Sequence, residues 1–214
     1  MLDLSLELRD LSCERDDRVL FAGLCAQFNS GDVVQIEGPN GSGKTTLLKV
    51  LTTISNDYRG EIYWDRKPFS QSKFEFLSQL LFLGHLPGIK KALSPVENLL
   101  WYQRISGEVS KDRIFSALTQ VGLAGYEDVP CYQLSAGQHR RVALSRLYLD
   151  PSPVWILDEP FTAIDKKGVA ALERLIAERA EKGGLVILTT HQDINSPSLK
   201  KVNLQDFNTV EAQS

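Results

Sequence analysis

The chain has 214 residues, 43% of them hydrophobic, which suits one domain with at most a subdomain and lets about 70% of the unfolded surface be buried without disulfide or metal staples. Its 24 Lys and Arg stand against 27 Asp and Glu, a net charge of −3, so there is no basic surplus for nucleic-acid phosphates or an anionic membrane. Three cysteines, Cys13, Cys25 and Cys131, are odd in number and lack any CxxC spacing, which points to a reducing compartment. At the N-terminus, MLDLSLELRD alternates Leu2, Leu4, Leu6 and Leu8 with polar residues and is charged by Asp3, so it predicts an edge or half-buried strand and no secretory apolar block. Val33 to Ile36 predicts a buried strand, followed by a glycine-rich turn and a helix carrying Leu47, Leu48, Leu51 and Ile54 on one face. Tyr58 to Pro68 has strand-forming residues around turn residues and predicts a hairpin. Apolar runs such as Leu80 to Leu83 are far short of the roughly 20 residues of a membrane span.

From Ser94 to Gly125 the pattern is mostly helical, with Pro95 in a first turn and Gly122 as a stop. Gln133 to Asp150 predicts one capped helix, which Pro151 and Pro153 end before the apolar strand Val154 to Leu157. Asp165 is placed to cap a helix running to Lys182, with Val169, Leu172 and Ile176 on one face, Glu178 and Lys182 spaced as an ion pair, and Gly183-Gly184 as the stop. Leu185 to Thr189 predicts another buried strand, and the polar tail beyond Phe207 is expected to fray. Alternating strands and helices imply an α/β core with a mainly parallel sheet built from both ends of the chain, the middle forming a helical insert.

Gly38 to Thr45, GPNGSGKT, matches the phosphate-binding loop G-x-x-x-x-G-K-[ST] and stands between a predicted strand and a predicted helix, as that motif requires. Its glycines let backbone N–H groups turn toward phosphate oxygens, and the helix behind adds its positive end. Lys44 is the point charge for terminal phosphates, and Thr45 offers a hydroxyl to Mg²⁺. Four fixed positions arise by chance in about one chain per hundred, so an accidental glycine turn is set aside. VWILDEP, Val154 to Pro160, puts Asp158 and Glu159 at the end of an apolar strand: Asp158 as a second Mg²⁺ anchor, Glu159 as base for an attacking water. Ser135 and Gln138, in LSAGQHRRVALSRL, have capping-box spacing. The ordinary reading is a well-capped helix; the functional one is a second helix end directed at an anion.

Together these strings resemble an ATP-binding cassette (ABC) ATPase over essentially the whole chain. The resemblance implies a phosphate-loop NTPase fold with an N-terminal antiparallel β part, a nucleotide-binding core at 1–84 and 151–214, and a helical subdomain at 85–150. It implies ATP and Mg²⁺ as cofactors, with nucleotide contacts from Gly38, Pro39, Asn40, Gly41, Ser42, Gly43, Lys44, Thr45 and Thr46. Thr45 and Asp158 would hold the metal, and Glu159, His191 and Lys44 would act on the reaction. Ser135, Gly137 and Gln138 would serve the signature, and Ala163 to Asp165 the D-loop. In that family two copies pair head-to-tail, so each ATP lies between one phosphate loop and the other copy's signature.

A closer likeness lies in LSCERDDRVLF at Leu11 to Phe21, GHLPGIKKALSPVENL at Gly84 to Leu99, LSAGQHRRVAL, and WILDEPFTAID at Trp155 to Asp165. These resemble the cytochrome c maturation ATP-binding subunits, the haem exporter ATPases of the CcmA family. That resemblance implies integral membrane subunits as partners, a periplasmic haem chaperone served indirectly, no nucleic acid, and a peripheral position on the cytoplasmic face of a bacterial inner membrane. His85 stands where most cassettes have the Q-loop glutamine, which leaves an amide ligand for Mg²⁺ unassigned. Arg15, near the usual adenine-stacking aromatic, either stacks a guanidinium plane on the base or stays solvated. Ala136 replaces the first signature glycine. No residue reads as a haem ligand, since His139 falls on an exposed helical turn and Cys131 has no spaced partner. Only the interval 46–133 separates phosphate loop from signature, too short for the coiled coils of DNA-repair cassettes. One ATP site per chain argues against the ribosome-acting type, and a P-loop kinase or GTPase would leave LSAGQ unexplained.

Overall fold

The computed structural model describes residues 3–16, 18–106, 110–192, 194 and 196–207, side chains at 103–106 excepted. Its elements in chain order begin with β1 (Ser5–Arg15), β2 (Arg18–Asn29), β3 (Val33–Glu37), α1 (Lys44–Leu51), β4 (Arg59–Trp64), β5 (Lys67–Pro68), α2 (Phe69–Ser78) and β6 (Leu80–Leu83). Then come α3 (Pro95–Ser106), α4 (Lys111–Gln120), α5 (Ala136–Leu144), β7 (Val154–Asp158), α6 (Lys166–Glu181), β8 (Leu185–Thr189) and β9 (Leu199–Asn203). The chain divides into two compact units, Met1–Phe82 with Ser152–Glu159 and Ile176–Ser214, and Leu83–Pro151 with Pro160–Leu175.

In the first unit an antiparallel sheet runs β2-β1-β4-β5 and a second sheet runs β6-β7-β8-β3-β9, in which β3 pairs parallel with β8 and β9, and β7 with β8. The expected N-terminal strand is half-buried but is no edge: β1 has β2 on one side and β4 on the other. Its leucine alternation would turn Leu11 and Cys13 outward, and the register shift around Asp10, whose φ is +49°, returns them to the core. Leu6, Leu8, Trp64, Leu47, Leu51, Val34, Ile36, Ile156 and Ile187 then share one core. Phe76 of α2 meets Trp64 edge-on with centroids 5.0 Å apart.

The strands at Val33, Val154 and Leu185 form as the sequence predicts, each extended by at most one residue, and the Tyr58 to Pro68 hairpin forms through β4 and β5. Helix α1 stops at Leu51, with Thr53 at φ +58°, so Ile54 leaves the expected face and is exposed. Three elements carry no clear sequence signal: β2, α2 and β9. The tail beyond Phe207, and Leu2, lie outside the described residues.

The second unit packs Val96, Leu99, Ile114, Leu118, Cys131, Leu134 and Val142 into its own core. Ser94 and Glu97 cap α3 reciprocally, at 3.2 and 2.8 Å. Gly122, at φ +71°, ends the α4 segment as expected. The single helix expected over Gln133 to Asp150 is instead a 3₁₀ turn at Cys131–Gln133, α5 from Ala136, and a second 3₁₀ turn at Ser145–Tyr148. Ser135 sets the start by capping, and the tighter last turn satisfies carbonyls that an α-helix would leave open. Asp165 caps α6 through the Gly168 N–H at 2.8 Å, and Gly183 at φ +83° ends it. No Glu178–Lys182 ion pair forms among the described residues; the two meet only through the Lys182 N–H and the Glu178 carbonyl. All three cysteines are free thiols, and burial pushes those of Cys13 and Cys131 up from the ordinary value. No helix among the described residues is long and apolar enough to cross a membrane.

Candidate functional site

Three neighbouring strands end level. Ile36 of β3 lies opposite Thr189 of β8, and Thr189 opposite Asp158 of β7, so the segments that follow all leave the same rim of the sheet. The Thr189 hydroxyl donates to Asp158 Oδ1 at 2.7 Å and accepts the Glu159 N–H at 2.9 Å. From the first turn of α1, the Thr45 hydroxyl reaches Asp158 Oδ2 at 3.1 Å. Asp158 is only 2% exposed, and two hydroxyl donors offset part of the cost of its burial. Glu159 has φ +49°, a left-handed conformation costing a non-glycine residue about 1–2 kcal/mol. The turn brings Glu159 Oε1 to 3.6 Å from His191 Nε2, whose side chain is 63% exposed.

Around Gly38 to Thr45 the motif takes the expected strand, loop and helix form. Gly38, Gly41 and Gly43 have φ of +140°, +85° and +99°. A Cβ on Gly38 would stand 2.5 Å from Ser42 Oγ, and one on Gly43 would press on Leu20 and Phe21. No side chain caps α1, so its first amides are left for another acceptor. Lys44 Nζ donates to the carbonyls of Gly38 and Pro39, at 2.7 and 3.1 Å, holding the loop around the ammonium. The hard oxygens of Thr45 and Asp158 suit Mg²⁺, which is held by one or two carboxylates together with substrate phosphates. No group of three or more His, Cys, Asp or Glu placed to hold a metal ion is found among the described residues, and Thr45 with Asp158 is a donor set of that sparse kind.

The structure thus brings Lys44, Thr45, Asp158, Glu159 and His191 together in the first unit. Ser135, Gly137 and Gln138 belong to the second. There the capping box is realised: Ser135 Oγ accepts the Gln138 N–H at 3.2 Å, and Gln138 Oε1 accepts the Ser135 N–H at 2.8 Å. Ser135 stays exposed. A Cβ on Gly137 would meet the Ala163 carbonyl at 3.3 Å, so the two backbones approach closely. Gly84 is fixed by the buried Arg140, whose Nη1 donates to its carbonyl at 2.8 Å; His85 is exposed and Leu86 80% exposed. Arg15 is exposed and paired with its neighbour Asp16 at 3.4 Å. His139 departs from expectation: it is half-buried, with Nε2 on the Cys131 carbonyl. Thr189 is the residue that sequence reasoning missed at this rim; the available signal was a hydroxyl ending an otherwise apolar strand.

A phosphate loop after β3, paired carboxylates at the end of β7 and a histidine after β8, on a largely parallel sheet, define a phosphate-loop nucleoside triphosphatase. The ABC transporter family profile matches residues 21–162. Proteins named cytochrome c biogenesis ATP-binding export protein CcmA are similar over nearly full length. The one from Saccharophagus degradans is 48% identical, covering 96% of both chains. That from Hahella chejuensis is 54% identical, covering 93% of this chain and 95% of the relative. Among solved structures, an ABC transporter ATP-binding protein from Pyrococcus furiosus superposes with a TM-score of 0.82 at 29% identity, covering 96% of this chain and all of that one. A dimeric cassette in a post-hydrolysis state with ADP and Pi shares the fold, with a TM-score of 0.73 at 24% identity over 87% of this chain and 88% of its own. The chain belongs to the ABC transporter family and, within it, to the CcmA cytochrome c biogenesis ATP-binding export proteins.

Proposed function

We propose that this chain is the ATP-hydrolysing subunit of an ABC complex for c-type cytochrome biogenesis, driving haem export or release of a haem-loaded chaperone. The observation that carries the reading is the rim formed by Thr45, Thr189, Asp158, Glu159 and His191, in a chain whose near-full-length relatives bear that name. Residues 1–84 and 151–214 act as the nucleotide-binding core and 85–150 as the helical subdomain, in one cassette domain. Gly38 to Thr46 cradle the ATP phosphates, with Lys44 neutralising the terminal ones. Thr45 and Asp158 would hold Mg²⁺, which when bound supplies charge neutralisation at the β- and γ-phosphates.

Glu159 takes the proton from the attacking water, and His191 contacts the γ-phosphate. Ser135, Gly137 and Gln138 serve the ATP of a second copy in a head-to-tail dimer, so neither chain hydrolyses alone. Arg15, exposed at the end of β1, takes the adenine-stacking role. Integral membrane subunits dock on the segment bearing the exposed Leu86, at the cytoplasmic face of the inner membrane, and a periplasmic haem chaperone is served indirectly.

The test is a Lys44→Ala allele in a strain with no second copy. Haem staining should show loss of holo c-type cytochromes and accumulation of haem-loaded chaperone. Normal cytochrome assembly would remove the haem role and leave the ATPase reading standing.

A further inference from the structure

Strand β3 carries a residue that its surroundings do not call for. Val33, Val34 and Ile36 are buried and apolar, yet Gln35 between them is 3% exposed. A buried amide is costly unless it is bonded. Gln35 lies opposite Leu188 on β8, two residues before Thr190. Its Nε2 stands 3.4 Å from the Thr190 carbonyl and 3.4 Å from the Gln192 carbonyl, the two residues flanking His191. A primary amide has two N–H hydrogens, one for each carbonyl. Both contacts are long, so the amide straddles the loop and tethers it without locking it. Its Oε1 is buried with no hydrogen-bond partner among the described residues, so it is the donor side that this amide uses. The loop is also folded on itself, the Gln192 N–H donating to Thr190 Oγ1 at 3.0 Å. Gln35 is thereby the side chain that ties the histidine loop to the strand leading into the phosphate loop.

We propose that Gln35 is a positioning residue for hydrolysis, holding residues 190–192 so that His191 is presented beside Glu159. The inference rests on the role given to His191 above. Gln35→Met keeps the length and removes the donors. In the full chain, purified with whatever membrane subunits accompany it, kcat should fall about ten- to a hundredfold, the scale of a small misplacement of a reacting group. KM for ATP and the affinity for a fluorescent ATP analogue should stay near the parental values. Hydrogen exchange should quicken in the peptide covering 189–197, while peptides of α1 and β3 keep parental protection. Gln35→Asn, one methylene too short to reach the loop, carries the same expectation and serves if the Met variant does not fold. A folded variant with parental kcat overturns the proposal. So does a loss of kcat accompanied by equal loss of nucleotide affinity and of protection along β3, which would mark a packing role. His191→Ala separates the two readings: parental turnover there removes the histidine role itself, whereas an impaired His191→Ala beside a fully active Gln35→Met removes only the role of Gln35.

Discussion

The N-termini of α1 and α5, both proposed above to meet phosphate, are built in opposite ways. At α1 the sequence puts Gly43 where a capping side chain would stand, so the first amides have no side-chain acceptor. At α5, Ser135 and Gln138 satisfy each other's backbone N–H groups before any ligand arrives. A bare helix end offers a phosphate its amides at once, but is incomplete without one. A capped end has two of its amides satisfied by its own side chains and offers what remains: the Ala136 and Gly137 amides, and the Ser135 hydrogen, since that oxygen accepts from Gln138 while its O–H can turn outward. The first design fits a nucleotide held by the same chain. The second fits one brought by another copy.

Complementation in trans would break this contrast most sharply. Lys44→Ala disables the bare end and Ser135→Arg fills the capped end, so each chain alone should lose hydrolysis, while Ser135→Arg still binds nucleotide. Mixing the two should restore at most one competent site per dimer, read as ATPase activity that depends on both chains. Normal hydrolysis by Ser135→Arg alone would deny the capped end any part in the reaction. Next in size, Glu159→Gln should bind ATP but hydrolyse it about 10²–10⁴ times more slowly, since the amide cannot accept the proton. Size-exclusion chromatography with MgATP should then show a dimer; a monomer with bound ATP would contradict the head-to-tail arrangement.

A smaller effect is expected at Thr189. Thr189→Val removes the hydroxyl shared by Asp158 and the Glu159 N–H, and each hydrogen bond lost, the one to the carboxylate above all, costs about 1–3 kcal/mol. Calorimetry should show a lower melting temperature, with slower hydrolysis alongside. The smallest is Ser135→Ala: loss of a cap costs about 1 kcal/mol, or about 2–4 °C in a chain of this size. No equivalent cap exists to be lost at Gly43, where Gly43→Ala should act through backbone strain instead.

The strands of the parallel sheet were legible because strands covered on both faces read as unbroken apolar runs. The ends of α6 were legible because Asp165 and Gly183 are local signals. In contrast, α2 has no capping side chain and a serine-rich sequence, and β9 is an edge strand whose lysines blunt it. Lys200 and Lys201 there bind Asp32 and Glu37 at 2.7 Å, pairings that depend on register and not on sequence distance. The site divides the same way. Lys44, Thr45, Asp158 and Glu159 sit in contiguous motifs, while Thr189 and Gln35 acquire their partners only when strands far apart in the chain come level.

The left-handed turn at Glu159 carries a further consequence. Glycine and asparagine adopt that conformation more readily than glutamate, so the fold itself would be more stable with either of them there. The carboxylate is kept at a position where the backbone argues against it. Selecting this chain for heat resistance alone would therefore drift position 159 toward residues that cannot take a proton, and thermostability would rise as turnover disappeared.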